Sequence, residues 1–300
     1  MRELFSPDPH ALLFALLLEV ADVPAWWRGY LVSRLIYPPL HPVAWIYRAA
    51  AAFARPGGLA RGVAALLAAA APALIGAVLF RAARGPEWWW TLAEGYLLKL
   101  SFSITHVTYG CMRGYAEGRP AEAVAQFVRR RLSGDPHLVH SACIETAAES
   151  LVDSFISPLF YYLLLGLPGA WLQRAVNTAD GAVGFKHYGR AGLPSAAADT
   201  ALNYMPARIA ALLLLSQGVA DPAALRQRNA VESVNARWPI AAAAAALGVS
   251  LEKQGHYKVG QGPPPTPIDV AKALALVHAA AALYAAPMAL ATYAAYYYIH

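Results

Sequence analysis

Charge is scarce in this chain: Asp, Glu, Lys and Arg make up 14% of its 300 residues, 58% are hydrophobic, and the mean hydropathy is +0.39. A soluble domain carries about 25% charged residues, so the composition excludes an ordinary water-facing surface and predicts a membrane protein. Cysteine is almost absent. Cys111 and Cys143 are the two present; they cannot build a disulfide framework, and neither stands in a paired metal-ligand spacing. A Walker-type phosphate loop, G-x-G-x-x-G, H-E-x-x-H and G-x-S-x-G are all missing, so none of the chemistries those motifs carry is expected. A basic stripe is missing too. The net charge is +6, but Lys and Arg are scattered at the edges of apolar runs, where they read as interfacial anchors, and nucleic acid is not an expected partner. His106, His137, His140, His187 and His256 lack metal-ligand spacing. No Ser/Gly-rich or highly charged linker divides the chain, which predicts a single domain over 1–300.

What is present is a series of apolar runs. The expected fold class is all-α: a polytopic integral membrane protein of about four to six membrane helices, with the motifs carried on polar loops. The run Gly62 to Phe80 is free of charge and bracketed by Arg55, Arg61, Arg81 and Arg84; its length is close to the ~20 residues a spanning helix needs. Further charge-free runs lie between Asp153 and Arg174, after Arg208, and from Lys272 to His300. Trp88, Trp89, Trp90 and Tyr296, Tyr297, Tyr298 suit headgroup-level aromatic belts. Basic residues on both sides of Gly62 to Phe80 leave its orientation open. Near the start, Ala11 to Leu18 is short enough for a secretory signal. Acidic Glu3 and Asp8 precede it, however, and Glu19, Asp22, Trp26 and Trp27 follow where small cleavage-site residues would stand, so a retained, partly buried helix is the expectation.

Polar residues gather between the runs. On a helix, Glu145, Glu149 and Asp153 fall at successive four-residue steps and share one face. Like charges so placed call for a counter-charge. Mg²⁺ is one answer; a water-facing stripe, or pairing with Arg or Lys from elsewhere, is the other. A second region holds Asn177, Thr178, Asp180, Gly181, Gly184, Lys186, Tyr188, Asp199, Asn203 and Arg208, where Lys186 and Arg208 could meet phosphate or carboxylate, or simply belong to a loop and an interfacial anchor. The third runs from Glu232 through Ser233, Val234, Asn235, Ala236, Arg237, Trp238 and Pro239; the stretch Leu251 to Gly260 follows, and Pro263 to Pro267 predicts an extended connector before the last helix.

The order of these blocks resembles the CobD/CbiB family of cobalamin biosynthesis. His41-Pro42-Val43 with Ile46 resembles its H-P-V block, and Leu97-Leu98-Lys99 with Phe102 its L-L-K-x-x-F helix. Ile144 to Glu149, Asp153 and Ser157-Pro158-Leu159-Phe160 resemble E-T-x-A-E-N…D…P-L-F. Pro168-Gly169, Arg174 to Thr178, Asp180, Gly184 and Lys186 resemble P-G…R-A-x-N-T-x-D…G-Y-K. Asp199, Asn203-Tyr204 and Pro206-Ala207-Arg208 resemble D-D-x-x-N-x-x-P-A-R, and Ser233, Asn235, Ala236, Ala246 to Val249 and Tyr257 resemble S-P-N-A-G…A-L-G-V…Y. Departures stand at Gly134-Asp135-Pro136 for R-D-T, Ser150 for Asn, Thr200 for a second Asp, Val234 for Pro and Arg237 for Gly.

The resemblance implies an ATP-dependent ligase in the cell membrane, crossing it several times; the supply of ATP would then put the polar blocks on the cytosolic side. It would join the propionate carboxylate of adenosylcobyric acid to aminopropanol or its O-phosphate. Glu145, Glu149 and Asp153 would hold Mg²⁺ or act as the base. Asn177, Asp180, Lys186, Asp199, Asn203, Arg208, Ser233 and Asn235 would bind substrate. The implied partners are the corrinoid, the amine and the bilayer, with a homo-oligomer or neighbouring enzymes of the pathway as further candidates. The alternative is a non-catalytic corrinoid-binding or transport protein, for which polar residues at the membrane midplane would be the mark.

Overall fold

Several helices begin where local chemistry says they should. His41 accepts a hydrogen bond from the Val43 N–H through Nδ1, and Pro42 opens the helix Pro42–Ala51 (α2). The H-P-V block is thus a cap followed by proline at the first helical position, where the missing N–H costs nothing. Asp135 does the same for the helix Pro136–Leu151 (α7), accepting from the His137 N–H at 2.9 Å ahead of Pro136.

The computed structural model describes residues 2–22, 41–128, 132 and 134–299; Trp26 and Trp27 lie outside them. Besides α2 and α7 the helices are α1 (Pro9–Asp22), α3 (Leu59–Ala83), α4 (Trp88–Ser101), α5 (Thr105–Ala116), α6 (Pro120–Ala125), α8 (Ser157–Val183), α9 (Leu193–Leu202), α10 (Tyr204–Leu215), α11 (Ala223–Arg226), α12 (Arg237–Leu247) and α13 (Pro267–Ile299). The all-α expectation holds. Its one exception among the described residues is a small antiparallel hairpin, β1 (Leu251–Lys253) and β2 (Tyr257–Val259), with Leu251 opposite Val259.

The chain groups into two compact units. The first comprises Met1–Ser103, Ser157–Leu202 and Ala285–His300; the second comprises Ile104–Ile156 and Asn203–Tyr284. Each draws on separated stretches, so neither is a contiguous sequence domain.

In the first unit α3 and α2 pack on α8, α1 on α4, and α9 on α8 and α3. Gly62, Ala65, Ala69 and Ala77 of α3 are buried, while Leu59, Val63, Leu67, Ile75 and Leu79 form an exposed row at helical spacing. Small residues inward and large apolar residues outward is the arrangement of a helix that packs on protein along one side and faces lipid along the other. The helix α8 bends at Leu165 and Gly166, where Gly166 has φ 59° and ψ −155°. That conformation belongs essentially to glycine, and a Cβ there would also stand 2.7 Å from the Ser6 carbonyl oxygen. In the second unit α10 packs on α12, α7 on α12 and β1, and α5 on α6 and α7.

Among the described residues three helical stretches are long and apolar enough to cross a membrane: Leu59–Ala83, Pro136–Val183 and Pro267–Tyr298. The run after Arg208 forms α10, whose 12 residues are too few for a ~30 Å hydrocarbon core. Trp88, Trp89, Tyr297 and Tyr298 are all exposed, as interfacial belts require. Arg81 and Arg84, which follow the run Gly62 to Phe80, both turn into the protein and pair with buried carboxylates. Cys111 and Cys143 are joined, Cα atoms 6.3 Å apart, tying α5 to α7.

Candidate functional site

In the second unit, α7 carries Glu145 and Glu149 one helical turn apart, Glu145 buried and Glu149 partly exposed. Asp153 falls in a π-helical turn, Val152–Ile156. A π turn takes more residues than the α spacing on which a shared face was reasoned, and such turns recur at functional sites. Among the described residues no group of three or more His, Cys, Asp or Glu side chains is arranged to hold a metal ion. The expected three-carboxylate face therefore does not amount to an all-protein metal cage.

The start of α7 is tied down firmly. His140 Nδ1 lies 2.8 Å from the Pro265 carbonyl oxygen in the proline-rich connector, and Ser141 Oγ accepts from the Glu252 N–H on β1 at 3.2 Å. With the Cys111–Cys143 bridge two residues before Glu145, the carboxylate segment is fixed to three other parts of its unit.

The same unit holds Asn203, Arg208, Ser233 and Asn235. Asn203 is fully buried at the start of α10 and Asn235 is buried. Ser233 Oγ accepts from the Ala236 N–H at 3.1 Å, so it builds the turn into α12. Arg208 stacks over Tyr204, guanidinium carbon 3.4 Å from the ring centroid, and lies 5.2 Å from that of Trp238. Arg228, which the sequence did not single out, sits 4.9 Å from the same Trp238 ring.

In the first unit, Arg174 donates to the Ser101 carbonyl and to Asn177 Oδ1 at 3.2 Å, and Asn177 Nδ2 donates to Asp199 Oδ1 at 3.1 Å. The R-A-x-N-T block and the Asp199 helix are thereby brought into one polar chain. Asp180 packs against Gly184 so closely that a Cβ there would collide with its carboxylate, at 1.8 Å from Oδ1. Lys186 is exposed, in the 3-10 segment Lys186–Gly192.

Two buried ionic clusters of the first unit had no place in the sequence reading. Arg81 and Arg84 meet the fully buried Glu94 at 2.6 and 2.9 Å, and Arg84 also pairs with Asp8. The Tyr162 hydroxyl accepts from the Asp8 N–H and lies 3.0 Å from both a Glu94 carboxylate oxygen and the Asp8 carbonyl. Burial raises the pKa of Glu94 despite the two guanidinium groups. Burial raises that of Asp8 as well, but the Ala11 N–H and Arg84 outweigh it, and the net direction is downward. In the second cluster Lys99, from the L-L-K block, is buried between Glu19 at 2.9 Å and Asp22 at 3.0 Å. Burial works against its charge, yet the two carboxylates raise its pKa above the ordinary lysine value. The signal that could have found both clusters was there: paired acidic and basic residues are conspicuous in so charge-poor a chain.

A family model described as CobD/Cbib protein matches residues 12–284. The chain belongs to the CobD/CbiB family. It is 47% identical over 219 residues to the probable cobalamin biosynthesis protein CobD of Aeropyrum pernix, covering 67% of this chain and 68% of that one. The corresponding protein of Pyrococcus furiosus is 43% identical over 187 residues, 60% of this chain and 64% of that one. The cobalamin biosynthesis protein CobD of Dehalococcoides mccartyi is 42% identical over 134 residues, 42% of this chain and 43% of that one. No solved structure gives a significant match. Membership in this CobD/CbiB family ties the chain to cobalamin biosynthesis and to corrinoid chemistry.

Proposed function

We propose that this CobD/CbiB protein is a multi-pass enzyme of the cell membrane that couples the corrin propionate carboxylate of adenosylcobyric acid to aminopropanol, or its O-phosphate, at the expense of ATP. A carboxylate is a poor electrophile. Attack of its oxygen on the terminal phosphorus of ATP would release ADP and give an acyl phosphate; the amine nitrogen would then attack the acyl carbon, inorganic phosphate would leave, and a proton of the amine must pass to a base.

The observation that carries this reading is the pair Glu145 and Glu149, one turn apart on a helix fixed by a disulfide, a connector and a hairpin strand. Two carboxylates suit Mg²⁺ that arrives with nucleotide phosphate, since this ion usually keeps one or two protein carboxylates and takes its other oxygens from phosphate and water. Glu145 and Glu149 would hold it, and the ion would offset charge on the transferring phosphoryl group. Asp153, in the wider turn, is then the candidate base. In the second unit Asn203, Ser233 and Asn235 offer amide and hydroxyl groups to a polar ligand and Arg208 offers positive charge to phosphate; in the first unit Asn177, Asp180, Asp199 and Lys186 offer a separate set of such groups.

Membranes containing the chain, supplied with adenosylcobyric acid, ATP, Mg²⁺ and either amine, should form the amide, read by mass spectrometry. Glu149→Ala should lose at least about a hundredfold in rate. Full turnover by that variant would remove the carboxylate pair from the mechanism, and no ATP consumption dependent on both corrinoid and amine would remove the ligase reading itself.

A further inference from the structure

We propose that Arg208 and Arg228, both beside the Trp238 ring, and Arg237, bonded to the Asn229 that follows Arg228, form a binding site for the phosphate group of a phosphate ester; this rests on the ligase reading only in naming the phosphorylated amine as the ester bound during turnover. Two guanidinium groups share the Trp238 ring, Arg208 at 5.2 Å and Arg228 at 4.9 Å. The third, Arg237, donates through Nε to the Ser233 carbonyl at 3.0 Å, through NH2 to the Glu232 carbonyl at 3.1 Å, and through NH1 to Asn229 Oδ1 at 3.1 Å, beside Arg228 in the chain.

None of the three forms a salt bridge with a carboxylate among the described residues. Their partners are aromatic faces, backbone carbonyls and one amide oxygen. Such partners fix where a guanidinium points without cancelling its charge. Arg208 and Arg228 each use one N–H on a carbonyl, that of Tyr204 and that of Leu225, leaving the rest of each planar fork for a ligand.

Phosphate accepts paired N–H bonds from guanidinium in fixed geometry, and it would supply the counter-charge that these arginines lack among the described residues. Side chains must supply the donors here. At the start of α12 the N–H groups of Ala236, Arg237 and Trp238 are already bonded to Ser233 and Asn235, and Pro239 has none. The four side chains are partly exposed, so a ligand can reach them.

The test is isothermal titration of the purified full-length protein in neutral detergent. One arm uses propyl phosphate with propanol as control; the other uses dihexanoyl phosphatidylglycerol with dihexanoyl phosphatidylcholine. Propyl phosphate should bind and propanol should not, with affinity falling as salt rises. Arg228→Gln and Arg237→Gln should each weaken binding about tenfold, and Arg228→Lys less, with unchanged thermal unfolding showing that the variants are folded. Arginine-dependent binding of the glycerol lipid in place of propyl phosphate supports the same phosphate site and assigns its ester to a headgroup. Binding of neither probe, or binding that the two glutamine variants leave intact, overturns the site. The two proposals fail separately: no amide from either amine, together with arginine-dependent phosphate binding, removes the reaction and keeps the site. Amide formation from the phosphorylated amine that ignores both substitutions, without such binding, does the reverse.

Discussion

Three cations of the first unit, Arg81, Arg84 and Lys99, and three of the second, Arg208, Arg228 and Arg237, are matched in opposite ways. Arg81 and Arg84 are answered by Glu94 and Asp8, and Lys99 by Glu19 and Asp22. Arg208, Arg228 and Arg237 are answered by rings, carbonyls and an amide. In a chain with so few charges the difference is instructive. A cation whose counter-charge the protein supplies itself is committed to holding helices together, because taking either partner away strands a charge where water cannot reach it. A cation fixed in place without a counter-charge keeps its electrostatic capacity for something that binds.

The largest effect that would sharpen this contrast is expected of Glu94→Ala. It removes the shared partner of two arginines in a site where Glu94 is 0% exposed, and should cost about 3–5 kcal/mol, read as a fall in thermal unfolding temperature in detergent. An unchanged unfolding temperature would mean that the cluster is solvated and the contrast is false. Lys99→Met comes next, at about 3 kcal/mol, since it leaves Glu19 and Asp22 facing each other. Its pH signature is specific. The folded pKa of Lys99 lies above the ordinary value of 10.5, so its contribution is fully present below that value and is lost as pH climbs through the raised one. The stability gap between wild type and Lys99→Met should hold from neutral pH to mildly alkaline pH and close only beyond 10.5; a gap that closes near neutrality would contradict the ion triad.

How far the sequence could be read follows from which forces act locally. The uninterrupted apolar run Gly62 to Phe80 is local, and its helix forms where expected; the capped starts at His41-Pro42 and Asp135-Pro136 are equally local but were not read as helix starts. The run after Arg208 looked like a span because it was apolar, but what ends α10 at Leu215 is the Ser-Gln-Gly turn that follows, where Gly218 has positive φ. Arg81 and Arg84 looked like interfacial brackets because charge at the end of an apolar run usually is one; only tertiary packing brings Glu94 and Asp8 to them. The candidate site divides in the same way. Glu145 and Glu149 were legible from spacing, whereas the π turn at Asp153 widens the helix just ahead of Pro158, which cannot make the regular α bond to Ser154, and so breaks that spacing. The Trp238 cluster was legible least of all, since Arg208 and Arg228 come from segments far from the ring in sequence.

Smaller effects test the same contrast at its weak end. Gly166→Ala should destabilise by about 1–3 kcal/mol, because its backbone conformation excludes a side chain and the Ser6 carbonyl occupies the space; it marks what a purely structural lesion does in the first unit. Arg228→Gln should do almost the opposite. Its guanidinium is partly exposed and gives up one carbonyl bond and one ring contact, so thermal unfolding should move by no more than about 0.5 kcal/mol, while phosphate binding falls. If Arg228→Gln instead destabilised as Glu94→Ala should, the stacked arginines would be structural after all, and the division between committed and available cations would disappear.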